Sequence, residues 1–110
     1  MLSQRDQDII RVLKRRLANL AGDRLQDLII YGSRVWGGAD LDSDLDVAVL
    51  VRDWTPELEA SLLEGAYQVM WDYDFMPLIS IKVFDADSFD SHQKKGFSFY
   101  RKVALEGLSI

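Results

Sequence analysis

The stretch that decides the fold spans residues 31–46 and reads YGSRVWGGADLDSDLD. A short apolar run, residues 28–31, leads into it, and a second apolar run, Leu45–Val51, leads out of it. Both runs have the length and the β-branched content of buried strands, and Gly32 ends the first of them. We therefore predict two strands joined by a turn-rich loop over residues 33–43. The loop is short and has no helical pattern, which allows the two strands to be antiparallel neighbours.

Two carboxylates stand where the second strand begins. Asp44 and Asp46 are separated by one residue, so in a strand their side chains point to the same face of the sheet. Their backbones would be roughly 6–7 Å apart, which lets both side chains reach a shared cation. Mg²⁺ prefers oxygen ligands and keeps water molecules that substrate phosphates can replace. The pair therefore predicts a magnesium site whose two ligands, Asp44 and Asp46, are also the catalytic residues.

The turn beside these carboxylates offers groups that bind phosphate. Gly32 has no side chain, so its backbone can approach a phosphate closely. Ser33 supplies a hydroxyl and an N–H to phosphate oxygens, and the guanidinium of Arg34 adds positive charge. We predict that phosphate groups bind at this turn.

Helical patterns occupy most of the remaining chain. Ser3 and Asp6 form a capping box for a first helix that Gly22 ends, and residues 55–57 (Thr-Pro-Glu) start a second helix. A third strand follows over about residues 78–84. After a polar turn, a last helix is indicated by apolar residues at helical spacing: Phe97, Tyr100, Val103 and Ala104.

The resulting order, α-β-loop-β-α-β-α, favours the α/β (α+β) class. We expect a small mixed sheet of three to four strands flanked by helices in two or three layers. No repeat or linker divides the sequence, so one domain over residues 1–110 is predicted.

Composition excludes several kinds of site. The chain of 110 residues has no cysteine and a single histidine, His92, which removes thiol nucleophiles, cysteine zinc sites and multi-histidine metal sites. The net charge of −5 disfavours a nucleic-acid partner. The N-terminus lacks the apolar core of a signal peptide, and no apolar run is long enough to span a membrane, so we expect a cytoplasmic protein.

Several of these residues together resemble a known motif. Gly32-Ser33-Arg34, Gly37 and Ser43-Asp44-x-Asp46 are similar to the motif of the DNA polymerase beta-like nucleotidyltransferase superfamily, and above all to its minimal nucleotidyltransferase (MNT) group. The resemblance implies the polymerase beta-like fold, Mg²⁺ as cofactor and ATP as substrate. It assigns nucleotide binding to four residues of the motif: Gly32, Ser33, Arg34 and Ser43.

The same resemblance implies a biological role. MNT proteins are similar to antitoxins that pair with HEPN-domain toxins, and the implied reaction moves AMP from ATP onto a tyrosine hydroxyl of the toxin. The acceptor site would then come from another chain, so an oligomer with the partner is possible.

The third strand departs from the family pattern, which has a third acidic residue there. Ser80 and Lys82 occupy the polar face of the predicted strand, and Asp74 precedes it. The family's third acid holds metal and can act as base, which matters because a tyrosine acceptor has a pKa near 10. Two alternatives stay open: an antitoxin of this fold that binds its toxin with weak or no transfer, and a stand-alone transferase for small molecules. The small size of the chain argues against the latter.

Overall fold

The computed structural model of the protein describes residues 2–36 and 43–110, without the side chain of Trp36. In this part of the chain the helices are α1 (Gln4–Ala21), α2 (Ser33–Trp36), α3 (Pro56–Asp72), α4 (Ala86–Lys94) and α5 (Ser98–Glu106). The strands are β1 (Leu25–Tyr31), β2 (Leu45–Val51), β3 (Ile79–Asp85) and β4 (Leu108–Ser109). Over the described residues, none of the helices combines the length and the apolar content that a membrane span requires.

The two long helices begin where the sequence predicts. At α1 the Ser3 hydroxyl accepts a hydrogen bond from the Asp6 backbone N–H (3.0 Å), and the Asp6 carboxylate accepts one from the Ser3 N–H (3.3 Å). At α3 the Thr55 hydroxyl accepts from the Leu58 N–H at 3.1 Å. These bonds satisfy N–H groups that have no partner inside the helix. The predicted capping box and the predicted start of α3 are both confirmed.

The four strands form one mixed sheet in the order β3-β2-β1-β4. β1 is antiparallel to both β2 and β4, whereas β3 is parallel to β2. The antiparallel pairing of the first two strands is thereby confirmed. The parallel pair is joined through α3, as a parallel connection requires a crossover.

Helices cover both faces of this sheet because side chains along each strand alternate between faces. One face buries Leu28, Ile30, Val47 and Val49 against the apolar sides of α1 and α3. The opposite face buries a smaller cluster with α4 and α5: Ile29, Ala48, Leu50, Phe89 and Val103. The predicted class, a small mixed sheet flanked by helices, is confirmed and is consistent with a polymerase beta-like nucleotidyltransferase fold.

Three local features differ from the prediction. The start of the expected loop at residues 33–43 is a single helical turn, α2, while residues 37–42, including the motif residue Gly37, lie outside the described residues. Helix α4 replaces the expected polar turn because the Asp85 carboxylate caps it, accepting from the Ser88 N–H at 3.0 Å. The two-residue strand β4 pairs with β1 after α5 ends.

Candidate active site

The predicted site residues meet at one end of the sheet. Asp46 pairs with Tyr31 on one side and with Ser80 on the other, and Gly32 follows Tyr31 directly. Asp46 shares its face with Ala48 and Leu50, so its carboxylate lies on the α4–α5 side of the sheet. The carboxylate pair, the glycine turn and the start of β3 are thus neighbours.

Gly32 allows the Asp46 carboxylate to lie directly against the turn. Its φ of +87° is in the left-handed region, and a Cβ atom there would overlap the Oδ2 atom of Asp46. No residue with a side chain fits both the backbone conformation and the space. The sequence indicated this glycine for close approach to phosphate, and the structure adds that the Asp46 carboxylate occupies the space beside it.

Gly32→Ala is expected to lower both stability and nucleotide affinity. The left-handed conformation costs an alanine about 1–2 kcal/mol, and the new methyl group must also displace the Asp46 carboxylate. Gly22→Ala is a matched control, because Gly22 also has a positive φ of +60° but a Cβ atom added to it would meet nothing within 4 Å. Urea denaturation and a titration with Mg²⁺ and ATP would measure both effects. Equal losses of nucleotide affinity in the two variants would contradict the role of Gly32.

The two carboxylates form a negatively charged site. Burial raises the pKa of Asp46 above its ordinary value, the charge of Asp44 raises it further, and Lys82 lowers it. Burial, followed by the charge of Asp46, also raises the pKa of the neighbouring Tyr31 hydroxyl. Among residues 2–36 and 43–110, no ion pair within 4.0 Å involves Asp44 or Asp46. Two neighbouring carboxylates of this kind attract a cation.

Asp46→Asn is expected to stabilise the metal-free protein slightly at neutral pH. Because the folded-state pKa of Asp46 is raised, ionisation of Asp46 reduces stability as the pH rises from the ordinary pKa of 3.8 through the folded value. The gain should stay under about 1 kcal/mol, since Asp46 is only partly buried and solvent screens its charge. Urea denaturation should show the difference at pH 7 and its disappearance below both pKa values. A variant less stable than the parent at neutral pH would contradict this sign.

The register of β3 places Ser80 and Lys82 on the site face, as predicted. Ser80 pairs with Asp46 and Lys82 with Ala48, and the Lys82 Nζ lies 4.9 Å from the centroid of the Phe99 ring. Asp74 is in the turn after α3, with φ +58°, and not on the strand. Within the described part of the chain, no group of three or more His, Cys, Asp or Glu residues could hold a metal ion. Among the described residues, Asp44 and Asp46 therefore have no third such residue with which to form a metal site.

Arg34 connects the site to α1. Its guanidinium donates to the Ser43 carbonyl oxygen at 2.7 Å and to the Asp6 carboxylate at 3.0 Å. Asp6 is only 3% exposed. The contacts hold α2 and the residue before Asp44 against the start of α1, so Arg34 is a positioning residue. The roles of Arg34 and Ser43 in nucleotide binding stay predictions.

A cavity of about 420 Å³ opens beside the glycine turn. Its wall includes Gly32 and Ser33 on one side and three residues of α5 on the other: Phe99, Lys102 and Glu106. An aromatic ring and a lysine beside the glycine turn suit the base and phosphates of a nucleotide. Neither Phe99 nor Lys102 is among the site residues predicted from the sequence. A larger cavity, about 610 Å³, is lined by Asp27, Arg52 and Asp85 and contains none of the predicted site residues.

A glycine turn after one strand and a carboxylate pair at the start of its antiparallel neighbour, in a mixed sheet with helices on both faces, define a nucleotidyltransferase-type site. The sequence model of the nucleotidyltransferase domain family matches residues 9–103, and the protein belongs to that family. It is also similar to a Methanocaldococcus jannaschii protein named "Putative protein adenylyltransferase", with 26% identity over 92 residues, which are 81% of this chain and 93% of the relative. No solved structure is significantly similar to the chain.

Proposed function

We propose that this protein is an MNT-type antitoxin that transfers AMP from ATP·Mg²⁺ to a tyrosine hydroxyl of a HEPN-domain toxin and thereby neutralises it. The observation that carries the proposal is the Asp46 carboxylate seated against Gly32, with Asp44 beside it. Family membership supports nucleotidyl transfer. The name of the archaeal relative supports a protein as acceptor.

The two carboxylates are suitable ligands for Mg²⁺. Mg²⁺ is commonly held by one or two carboxylates together with water and substrate phosphates. Asp44 and Asp46 match this donor set. Burial and, after it, the charge of Asp44 raise the pKa of Asp46, and a bound cation would relieve the repulsion between the two carboxylates. Bound there, Mg²⁺ would supply positive charge to the phosphate oxygens during transfer.

The surrounding residues bind and orient the nucleotide. Ser33 is exposed at the start of α2 and lines the cavity beside Gly32. Lys102 lines the opposite wall, and Lys82 lies over Phe99 at the edge of the same face. We assign the phosphates to the glycine turn and the base to the Phe99 side. The acceptor hydroxyl attacks the α-phosphate in line with the leaving pyrophosphate.

The acceptor hydroxyl loses a proton during transfer, and this proton must go to a group outside β3. Ser80 stands opposite Asp46, where the family pattern has its third acid. A serine hydroxyl does not act as a base at neutral pH. We therefore assign the proton to solvent or to a group that the acceptor protein supplies.

Intact-mass measurement tests this proposal. The protein would be incubated with ATP, Mg²⁺ and the proposed HEPN-domain partner, and the mass of the partner would be measured. We expect the partner to gain one or more AMP units, and to gain none with the Asp44→Asn, Asp46→Asn variant. AMP addition that is undiminished in this variant would contradict the proposal.

A second candidate function is favoured by the acid-free strand β3. With Ser80 opposite Asp46, the domain could neutralise its toxin by binding alone, with weak or no transfer. In that case the Asp44→Asn, Asp46→Asn variant should still protect cells from the toxin. Loss of protection by a variant that still forms the complex would rule this function out.

A further inference from the structure

A row of large apolar side chains lies exposed along one side of α3 and the turn after it. Leu63, Tyr67 and Trp71 are spaced by four residues, which places them on one side of the helix. Phe75, Met76 and Leu78 continue this row to the start of β3. We call the six residues together the α3 stripe: Leu63, Tyr67, Trp71, Phe75, Met76 and Leu78. Trp71 is 60% exposed and Met76 66%. Contiguous exposed apolar surface of this kind marks an interaction site.

The aromatic part of the stripe is already ordered in the free protein. The Trp71 and Phe75 ring centroids are 5.1 Å apart, and Tyr67 lies 6.3 Å from Trp71 and 5.7 Å from Phe75. The Phe75 N–H donates to the Met70 carbonyl oxygen at 2.8 Å. Phe75 takes up a left-handed backbone conformation, with φ +56°. Rigid aromatic side chains lose little conformational entropy on binding, and Trp and Tyr are the residues most often dominant in interfaces.

The negative charge around the stripe indicates the chemistry of its partner. Residues 56–78 contain five acidic residues and no Lys, Arg or His: Glu57, Glu59, Glu64, Asp72 and Asp74. Two basic residues of α1 border the same surface, since Arg5 donates to the Met76 and Tyr73 carbonyl oxygens and Arg16 donates to the Gln68 side chain. Both keep their positive charge, but the five acidic residues leave the border with a net negative charge. Two copies meeting through their stripes would bring like charges together. A different protein with a basic border around an apolar strip is complementary.

We propose that the α3 stripe docks an amphipathic helix of another protein, with its apolar side on Tyr67 and Trp71 and its Lys or Arg residues against the acids of residues 56–78. The stripe ends at the same end of the sheet as the candidate active site, whose carboxylates lie on the α4–α5 face. The Leu78 carbonyl oxygen accepts from the Leu45 N–H at 2.8 Å, and Leu45 follows Asp44. If the proposed function holds, on which this step rests, the docked protein is the one that presents the acceptor hydroxyl.

A synthetic helical peptide of about 18 residues, or five turns, tests the docking. The probe has a leucine stripe bordered by lysine, and its control has glutamate in place of every lysine. Binding to the ¹⁵N-labelled full chain would be followed through the backbone amide signals of residues 63–78, which remain observable in the variants. We expect the lysine peptide to bind, and Trp71→Ser to weaken it about 30-fold or more, the scale of an interface hot spot. Leu105→Ser should leave binding unchanged, because Leu105 is 72% exposed on α5, outside the stripe.

The proposal would be overturned by absence of lysine-peptide binding, by equal binding of that peptide to the Trp71→Ser variant, or by equal binding of the glutamate peptide. A dimer in light scattering that Trp71→Ser converts to a monomer would also overturn it, because the stripe would then be occupied by a second copy. Tyr67→Ser is a second variant that tests the same surface if Trp71→Ser fails to fold. The Asp44→Asn, Asp46→Asn variant should bind the peptide normally, so failure of transfer and failure of docking are separately visible.

Discussion

Asp44→Asn together with Asp46→Asn is expected to lower the rate of AMP transfer on the order of 10³-fold or more. Both residues keep their size, so the loss would come from the two negative charges that hold the cation and not from packing. Asp46 is only partly buried and its ionisation reduces the stability of the metal-free fold, so the variant should unfold at a urea concentration no lower than that of the parent. Initial rates of pyrophosphate release with saturating Mg²⁺ would measure the effect.

A matched control removes the same charge elsewhere. Asp87 and Asp90 lie on α4, and both line the cavity that contains none of the predicted site residues. Asp87→Asn with Asp90→Asn changes the net charge equally and should leave the rate within about twofold, since surface charge acts weakly at a distance. An equal loss in both double variants would mean that overall charge, and not the Asp44–Asp46 pair, governs the reaction.

Asp6→Ala is expected to destabilise the protein by about 3–5 kcal/mol, the range for breaking a buried ion pair. The Asp6 side chain is 5% exposed and the Arg34 side chain 12% exposed, with 3.0 Å between the paired atoms. The substitution removes the carboxylate from a nearly buried guanidinium and also removes half of the capping box of α1. Chemical denaturation would give the loss directly.

Asp8→Ala is the control on the same helix. Asp8 pairs with Arg11 at 3.2 Å, but both side chains are well exposed, 45% and 65%, and such surface pairs contribute about 0–1 kcal/mol. Similar losses for Asp6→Ala and Asp8→Ala would contradict the assignment of Asp6 and Arg34 as a structural pair. We also expect Asp6→Ala to weaken transfer at temperatures where it is still folded, because Arg34 positions the segment that leads to Asp44.

Most of the correctly predicted fold follows from local sequence patterns, such as helix caps and apolar runs. The ends of α1 and α3 follow from side-chain caps, and β2 follows from an apolar run that is buried on both faces. Helix α4 has a weak signal because only Phe89 among its residues is buried, so hydrophobic periodicity does not mark it. β4 has two residues and exists only through its pairing with Ile29 and Ile30, a contact that no local pattern specifies.

The site also contains residues that a local sequence pattern predicts and residues that depend on long-range packing. Asp44 and Asp46 could be predicted from the two-residue period of a strand, and Ser80 from the same period on β3. The Asp6–Arg34 pair joins residues 28 apart in sequence, and the Phe99 and Lys102 wall depends on how α5 packs. Trp71 shows a further limit, because apolar residues spaced by four predict a buried helix side, while the sheet covers the side of α3 that carries Leu62 and Val69.

A nucleotide titration followed by NMR tests the central claim most directly. The ¹⁵N-labelled protein would receive a non-hydrolysable ATP analogue with and without Mg²⁺. We predict Mg²⁺-dependent shifts of the Gly32, Ser33 and Asp46 amide signals, and their loss in the Asp44→Asn, Asp46→Asn variant. Absence of these shifts, or shifts confined to the cavity lined by Arg52 and Asp85, would contradict the placement of the nucleotidyl-transfer site at the Gly32 turn.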